Sequence, residues 1–494
     1  MRSLNLISVL LLMLLGSTTI AAQTAQPKAT PPPPAPPRSV EFPKPVESTL
    51  ANGLRVIVVE RPNSPLVAAQ VVIRNGGEVD PDGLSGLADL TAGLLTKGTE
   101  KRGAPDIAEA IEALGGSLDS GAGWDSSRAS LNVLSSKIAP AMEILADIVR
   151  RPTFHEEELE RLRQQYLDNI TLEMGNPGAI ARYVAARVVF GDAPYGHPLS
   201  GTSESIAKIT RGDIVKLHAA YYRPDNAILV FGGDIKAKDA FSLAEKFFGD
   251  WKKPATALPA ASSGSAKAET TNKARVVVVD KPDAGQAAVV VARTGINRRH
   301  PDYYSGIVAN SVLSGYSGRL NQEIRIKRGL SYGAGSTLET RRYVGPFAAS
   351  AQTKNESGAE VASLLIGEVS RLATAPLPDA ELVPRKAVLM GGFSRNLETV
   401  NGIVAQVAAL ALHDLSLDEI NRYIGSVQAV TADDVRKFAA SRLDAGGTNI
   451  IIVGNAKAFL PELSKQYKEI EVIPLGELDL NSGQLRRAPT SASQ

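Results

Sequence analysis

The stretch RVIVVERPNSPLVAAQVVIRNGG, from Arg55, returns about 220 residues later as RVVVVDKPDAGQAAVVVARTG, from Arg275. Each copy reads as a strand, a proline-containing turn and a second strand. Further on, ITRGDIVKLHAAYY from Ile209 is matched by VTADDVRKFAASRL from Val430. Both open on a threonine cap and then run in helical period. A strand ending in glycine follows each, in NAILVFGGDI and TNIIIVGNA. Three landmarks in one order at one offset mark a duplication. The expected organisation is two homologous domains, 45–252 and 273–475, joined by a Pro/Ala/Ser-rich linker over 253–272 and followed by a tail over 476–494. Within each copy, strand and helix patterns mix without strict βαβ alternation. APDIAEAIEALGG (104–116) has a helical apolar stripe that stops at Gly115, and RASLNVLS (128–135) alternates as a strand. The expected fold is therefore α+β, each domain a largely antiparallel sheet with helices packed on one face.

The N-terminus carries a different signal. Arg2 and Ser3 are followed by LNLISVLLLMLLGSTTIAAQ, an apolar run of about a dozen residues and then small ones. A membrane-spanning helix needs roughly 20 apolar residues, so this pattern is expected to be a secretory signal over 1–22. The following Pro-rich stretch, 23–44, favours an extended spacer. The mature chain is thus expected to be periplasmic or secreted, with no membrane span after signal cleavage. The net charge of +2, with no dense basic run, gives no footprint for nucleic acid. The absence of cysteine excludes disulfides, thiolate nucleophiles and Cys-ligated metals.

Five histidines are present: His155, His197, His218, His300 and His413. None pairs with another at i, i+4, as the two histidines of a zinc helix would. A zinc hydrolase needs three protein ligands around an open position, with a carboxylate base beside the bound water. No such cluster is legible. His197, on a Gly/Pro-rich loop, and His218, on the repeated helix, are expected to be structural. GGEVDPDGLSG (76–86) fails the EF-hand spacing and reads as a turn.

GLADLTAGLLTKGT (86–99) looks like an ordinary buried helix, with Leu87, Leu90, Leu94 and Leu95 as its stripe. Its frame resembles, without a gap, the zinc helix GLAHFLEHMLFKGT of the pitrilysin/insulinase zinc peptidases, a family that includes the mitochondrial processing peptidases and bacterial two-subunit relatives. The resemblance puts Asp89 where the first zinc histidine belongs, Ala92 at the glutamate base and Gly93 at the second histidine. Counting back from Pro177, it puts Asn169 at the third ligand; Glu173, one turn away, could not hold zinc alone. In the second domain, SGYSGRLNQEIRIKRGLSYGAGS (314–336) resembles the family's substrate motif, in which an arginine precedes a tyrosine by seven residues. Those residues here are Arg325 and Tyr332. The resemblance implies that they position a peptide and hold its carbonyl as negative charge develops. The plainer reading makes EIRIKRGLSYG an amphipathic helix ending at Gly329, with Arg325 solvated and Tyr332 a packed strand residue.

With the Arg/Tyr half-site present and the zinc half-site absent, the resemblance implies a zinc-free subunit of a heterodimeric peptidase acting on unfolded peptides. Zinc is then expected on a homologous partner and none on this chain. The alternative is a catalytically inert peptide-binding or structural subunit of the same fold. A homodimer built on some other metal site is disfavoured by the lack of a histidine pair and of cysteine.

Overall fold

A computed structural model describes residues 42–259 and 273–487. The expected leader, nearly all of the Pro-rich spacer and most of the linker lie outside them. In the first half, β1 (Val46–Thr49), β2 (Arg55–Glu60), β3 (Leu66–Ile73), β4 (Ser117–Ala122), β5 (Ser127–Leu134) and β6 (Ala227–Gly233) form one sheet in the order β1-β2-β6-β3-β5-β4. In the second, β7 (Val276–Asp280), β8 (Ala287–Thr294), β9 (Ala334–Leu338), β10 (Pro346–Thr353), β11 (Asn449–Gly454) and β12 (Glu471–Pro474) form another, ordered β12-β7-β11-β8-β10-β9. Five strands hold corresponding places in the two sheets. The sixth place is filled by the N-terminal β1 in one and by the C-terminal β12 in the other. Pairing is mostly antiparallel; β2–β6, β7–β11 and β7–β12 are parallel.

The repeated helices Arg211–Tyr221 and Ala432–Arg442 begin alike. Thr210 and Thr431 each accept the N–H three residues on, while Asp213 and Asp434 reach back to the threonine N–H at 2.9 Å. Each reciprocal cap satisfies two otherwise orphaned donors.

Among the helices, α1 (Leu87–Leu94), α2 (Glu156–Gly175) and α3 (Pro177–Phe190) belong to the first half, α4 (Asp379–Asn396) and α5 (Val400–Leu412) to the second. Each half packs its own helices on one face of its sheet, as expected. The opposite faces are covered by exchange. Helix α5 lays Val400, Ile403, Val404 and Val407 on Ile57, Val59, Ile228 and Val230 of the first sheet. Helix α3 lays Ile180, Val184 and Val188 on Val277, Val290, Ile451 and Val453 of the second. This double cover explains why β6 (AILVFGG) and β11 (NIIIVG) are buried at every position and read as unbroken apolar runs. A Cβ on Gly232 would lie 2.8 Å from Val404, so the close approach of α5 needs a glycine there. Strands β5 and β10, farther out, alternate between buried and more exposed residues. The start of the expected tail also packs: Leu478, Leu480 and Leu485 are buried beside α3.

Polar groups also tie the halves together. Glu78, 4% exposed, accepts from the Gly76 N–H at 2.7 Å and from Arg342 of the second half at 3.2 Å. The Arg342 N–H donates to Asp125 at 2.7 Å, and the Arg341 guanidinium rests on the rings of Trp124 and Tyr195. Burial outweighs the nearby Arg342 charge and pushes the Glu78 carboxyl up to about 7.

Candidate functional site

Helix α1 starts where the acidic turn ends. Gly86, at φ 91°, is its cap, and Asp80 accepts the N–H groups of Gly86 and Ala88 at 2.7 and 2.8 Å. The GGEVDPDGLSG turn is thus a helix-capping device. Leu87, Leu90 and Leu94 enter the core as their spacing predicts. Of the four frame positions, two line one cavity and two are closed off. Asp89 and Asn169, with Tyr166, Glu173 and Ser200, line a space of about 460 Å³ between α1 and α2. Ala92 is fully buried. A Cβ on Gly93 would stand 3.2 Å from Leu162 and 3.6 Å from the Tyr166 hydroxyl.

Tyr166 is the residue that sequence reading missed. Its hydroxyl shares the cavity wall with the Asp89 carboxyl and lies in the space beside Gly93. It precedes Asn169 by three on α2, so the i, i+3 neighbour of the vacated ligand position was the available signal. Burial raises the Asp89 carboxyl, and the nearby Tyr166 hydroxyl partly offsets that rise. Burial and the facing carboxylate both hold the Tyr166 phenol well above its ordinary value. A zinc ion does not fit this arrangement. Gly93 and Ala92 offer no donor, and a phenol stands beside the would-be second ligand. Among the described residues no group of three His, Cys, Asp or Glu side chains converges. Glu173 is engaged by the Tyr183 hydroxyl. His197 and His218 pack, each with ring nitrogen against backbone carbonyl: His197 on Gly77 and Pro198, His218 on Val149.

The second-half motif is built differently. A short helix, Arg319–Asn321, widens into a π-helix over Gln322–Lys327, a rare form found often at functional positions. Ile324 anchors it in the core while Arg325 stays half-buried. The Arg325 guanidinium sits 5.3 Å over the ring of Tyr316, itself 71% exposed. Gly329, at φ 64°, ends this turn, and Tyr332 follows in a loop before β9, 89% exposed. Tyr332 is therefore not a packed strand residue. Buried Asn321 joins the two loops, donating to the Tyr316 carbonyl at 2.6 Å and accepting from Ala334 N–H at 3.4 Å. Arg385 of α4, also buried, donates to Ser317 at 2.7 Å. The structure thus brings Arg325 to Tyr316. Tyr332 and the Asp89 cavity line separate spaces.

Family comparison agrees with the duplicated architecture. Residues 55–202 match the model for insulinase (peptidase family M16), and residues 208–389 match the model for the peptidase M16 inactive domain. The chain is similar to an uncharacterized zinc protease of Mycobacterium leprae, 26% identical over 80% of this chain and 89% of that protein. It is similar also to the uncharacterized zinc protease YmxG of Bacillus subtilis, 25% identical over 79% of this chain and 94% of that one. Among solved structures, a peptidase M16 inactive domain from Pseudomonas fluorescens superposes with a TM-score of 0.76 and 27% identity, covering 83% of this chain and 98% of that chain. A protease from Helicobacter pylori superposes equally well at 22% identity, over 83% of this chain and all of that one, a likeness of fold.

Proposed function

The chain belongs to the insulinase (M16) peptidase family and lacks its zinc motif, and on that premise we propose that it is the zinc-free subunit of an exported two-chain metallopeptidase acting on unfolded peptides. The partner would be a homologous chain bearing the zinc motif; the metal, its general base and the attacking water would belong to that chain. This chain's share is to bind the peptide and polarise its carbonyl. Tyr332 offers a hydroxyl that can donate to the carbonyl oxygen as negative charge develops there. Arg325 offers a permanently charged planar fork for peptide carbonyls, held in direction by the Tyr316 ring. The single observation carrying this reading is the asymmetry between the half-sites. The zinc frame offers no metal donor at Ala92 or Gly93 and has the Tyr166 phenol beside it, while Tyr332 stands 89% exposed.

The test is cleavage of an unfolded peptide by this chain alone, by a homologue that carries the histidine pair alone, and by the two together. Cleavage that requires both and is abolished by a chelator is expected. Strong, chelator-sensitive cleavage by this chain alone would refute the proposal. The inert-subunit reading would be favoured by equal activity of complexes containing wild type and Arg325→Ala.

A further inference from the structure

The exchanged helices leave a groove beside each sheet, and the two grooves differ in charge. The first-half groove, between α5 and strands β3 to β5, contains both Arg128 and Asp119, 3.9 Å apart. The second-half groove, about 480 Å³, runs between α3 and strands β8 to β10, with Tyr332 among its walls. Gly178 and Arg182 of α3 form one side; Gln286, just before β8, and Ser350 and Gln352 of β10 form the other. No carboxylate lines it, and Arg182 pairs with none among the described residues. A Cβ on Gly178 would stand 2.5 Å from the Gln352 amide nitrogen, so the glycine lets that carboxamide close up to the helix. One charge without its counter-charge, among neutral donors and acceptors, favours an anionic group on a polar backbone.

We propose that this groove binds an extended peptide segment and takes an aspartate or glutamate side chain of it against Arg182. The carboxamides of Gln286 and Gln352 and the Ser350 hydroxyl supply both donors and acceptors, which is what a peptide main chain needs. The inference rests on the reading of Tyr332 as a peptide-facing residue. If Tyr332 meets an internal carbonyl, the chain runs on beyond it, so a side chain rather than a terminus reaches Arg182. The groove would then give the complex a preference for acidic residues flanking the cleaved bond.

The test uses the full chain by itself and two labelled unfolded peptides with amidated C-termini, identical except for one central Glu or Gln, in fluorescence anisotropy. The Glu peptide is expected to bind roughly threefold to tenfold more tightly at low salt, the margin shrinking as salt rises. Arg182→Gln should abolish the margin, while Arg128→Gln, in the other groove, should leave it intact. Equal binding of the two peptides, no binding of either, or a margin that survives Arg182→Gln would overturn the proposal. An Arg182-dependent margin together with unaltered turnover of a Tyr332→Phe complex would sink the catalytic reading and leave the groove standing. The converse pair of results would sink the groove alone.

Discussion

Tyr166 and Asp89 show how a metal position can be vacated and its wall relined, with a phenol beside Gly93 and a carboxyl facing the cavity. Two histidines and a glutamate would bring charge and donors to this wall; here a phenol and one carboxyl line it together. A polar interaction between such partly buried neighbours contributes about 1 kcal/mol net. Tyr166→Phe should lower stability by about that much, and a double-mutant cycle with Asp89→Ala should return a coupling of similar size in denaturant unfolding. On the other half-site, Tyr316 is expected to act through Arg325. A cation over an exposed ring is worth roughly 0.5–1 kcal/mol. Tyr316→Leu should therefore raise the KM of the complex a few-fold with little change in kcat. Tyr316→Phe, which keeps the ring, should restore it.

Helix α1 keeps the outline of a zinc helix and could not be reconverted by its own residues. Placing Asp89→His, Ala92→Glu and Gly93→His together would put a carboxylate at a fully buried position and a side chain against Leu162 and Tyr166. Burying an unpaired charge costs several kcal/mol. The triple variant should unfold at markedly lower denaturant and hold well under one zinc per chain by elemental analysis. Stoichiometric zinc in a stable variant would contradict that account of the closed frame. Much of the element level was legible in advance. The Thr-capped helices and the strand–turn–strand runs β2–β3 and β7–β8 follow from local patterns that the duplication repeats, and α1 follows from its leucine stripe, although β6 and β11 insert between the strands of each run. The exchange of α3 and α5 was not legible, because a buried apolar stripe does not say which sheet it covers. Nor was the π-helix under Arg325, since its register depends on Ile324 finding the core. At the site, the frame positions could be read off the sequence. Tyr166 and Arg182 could not, because they matter through neighbours on other elements.

At the scale of the whole molecule, the halves are held by exchanged helices and by the polar joint around Glu78. That carboxyl faces Arg342, Asp125 and Asp80, and its value of about 7 exceeds the ordinary 4.5. A raised carboxyl binds its proton more tightly in the folded state, so its contribution to stability is present at low pH and is lost as pH rises from about 4.5 to about 7. His218 and His413, lowered to about 4 by burial, act oppositely and cost stability as pH falls below 6.5. The comparison of wild type with Glu78→Gln cancels the histidines. The wild type should gain on the variant by on the order of 2–3 kcal/mol between pH 7 and 4.5, read from denaturant midpoints; parallel pH profiles would contradict the burial argument. A joint of this kind keeps the second sheet, and with it Tyr332, in a fixed relation to the first half. The proposal that this chain is a subunit sharing in the chemistry, and more than a wall, is tested most directly by turnover of the reconstituted complex containing Tyr332→Phe. The expected result is a kcat about a hundredfold lower with the two chains still associated; an unchanged kcat in an intact complex would contradict it.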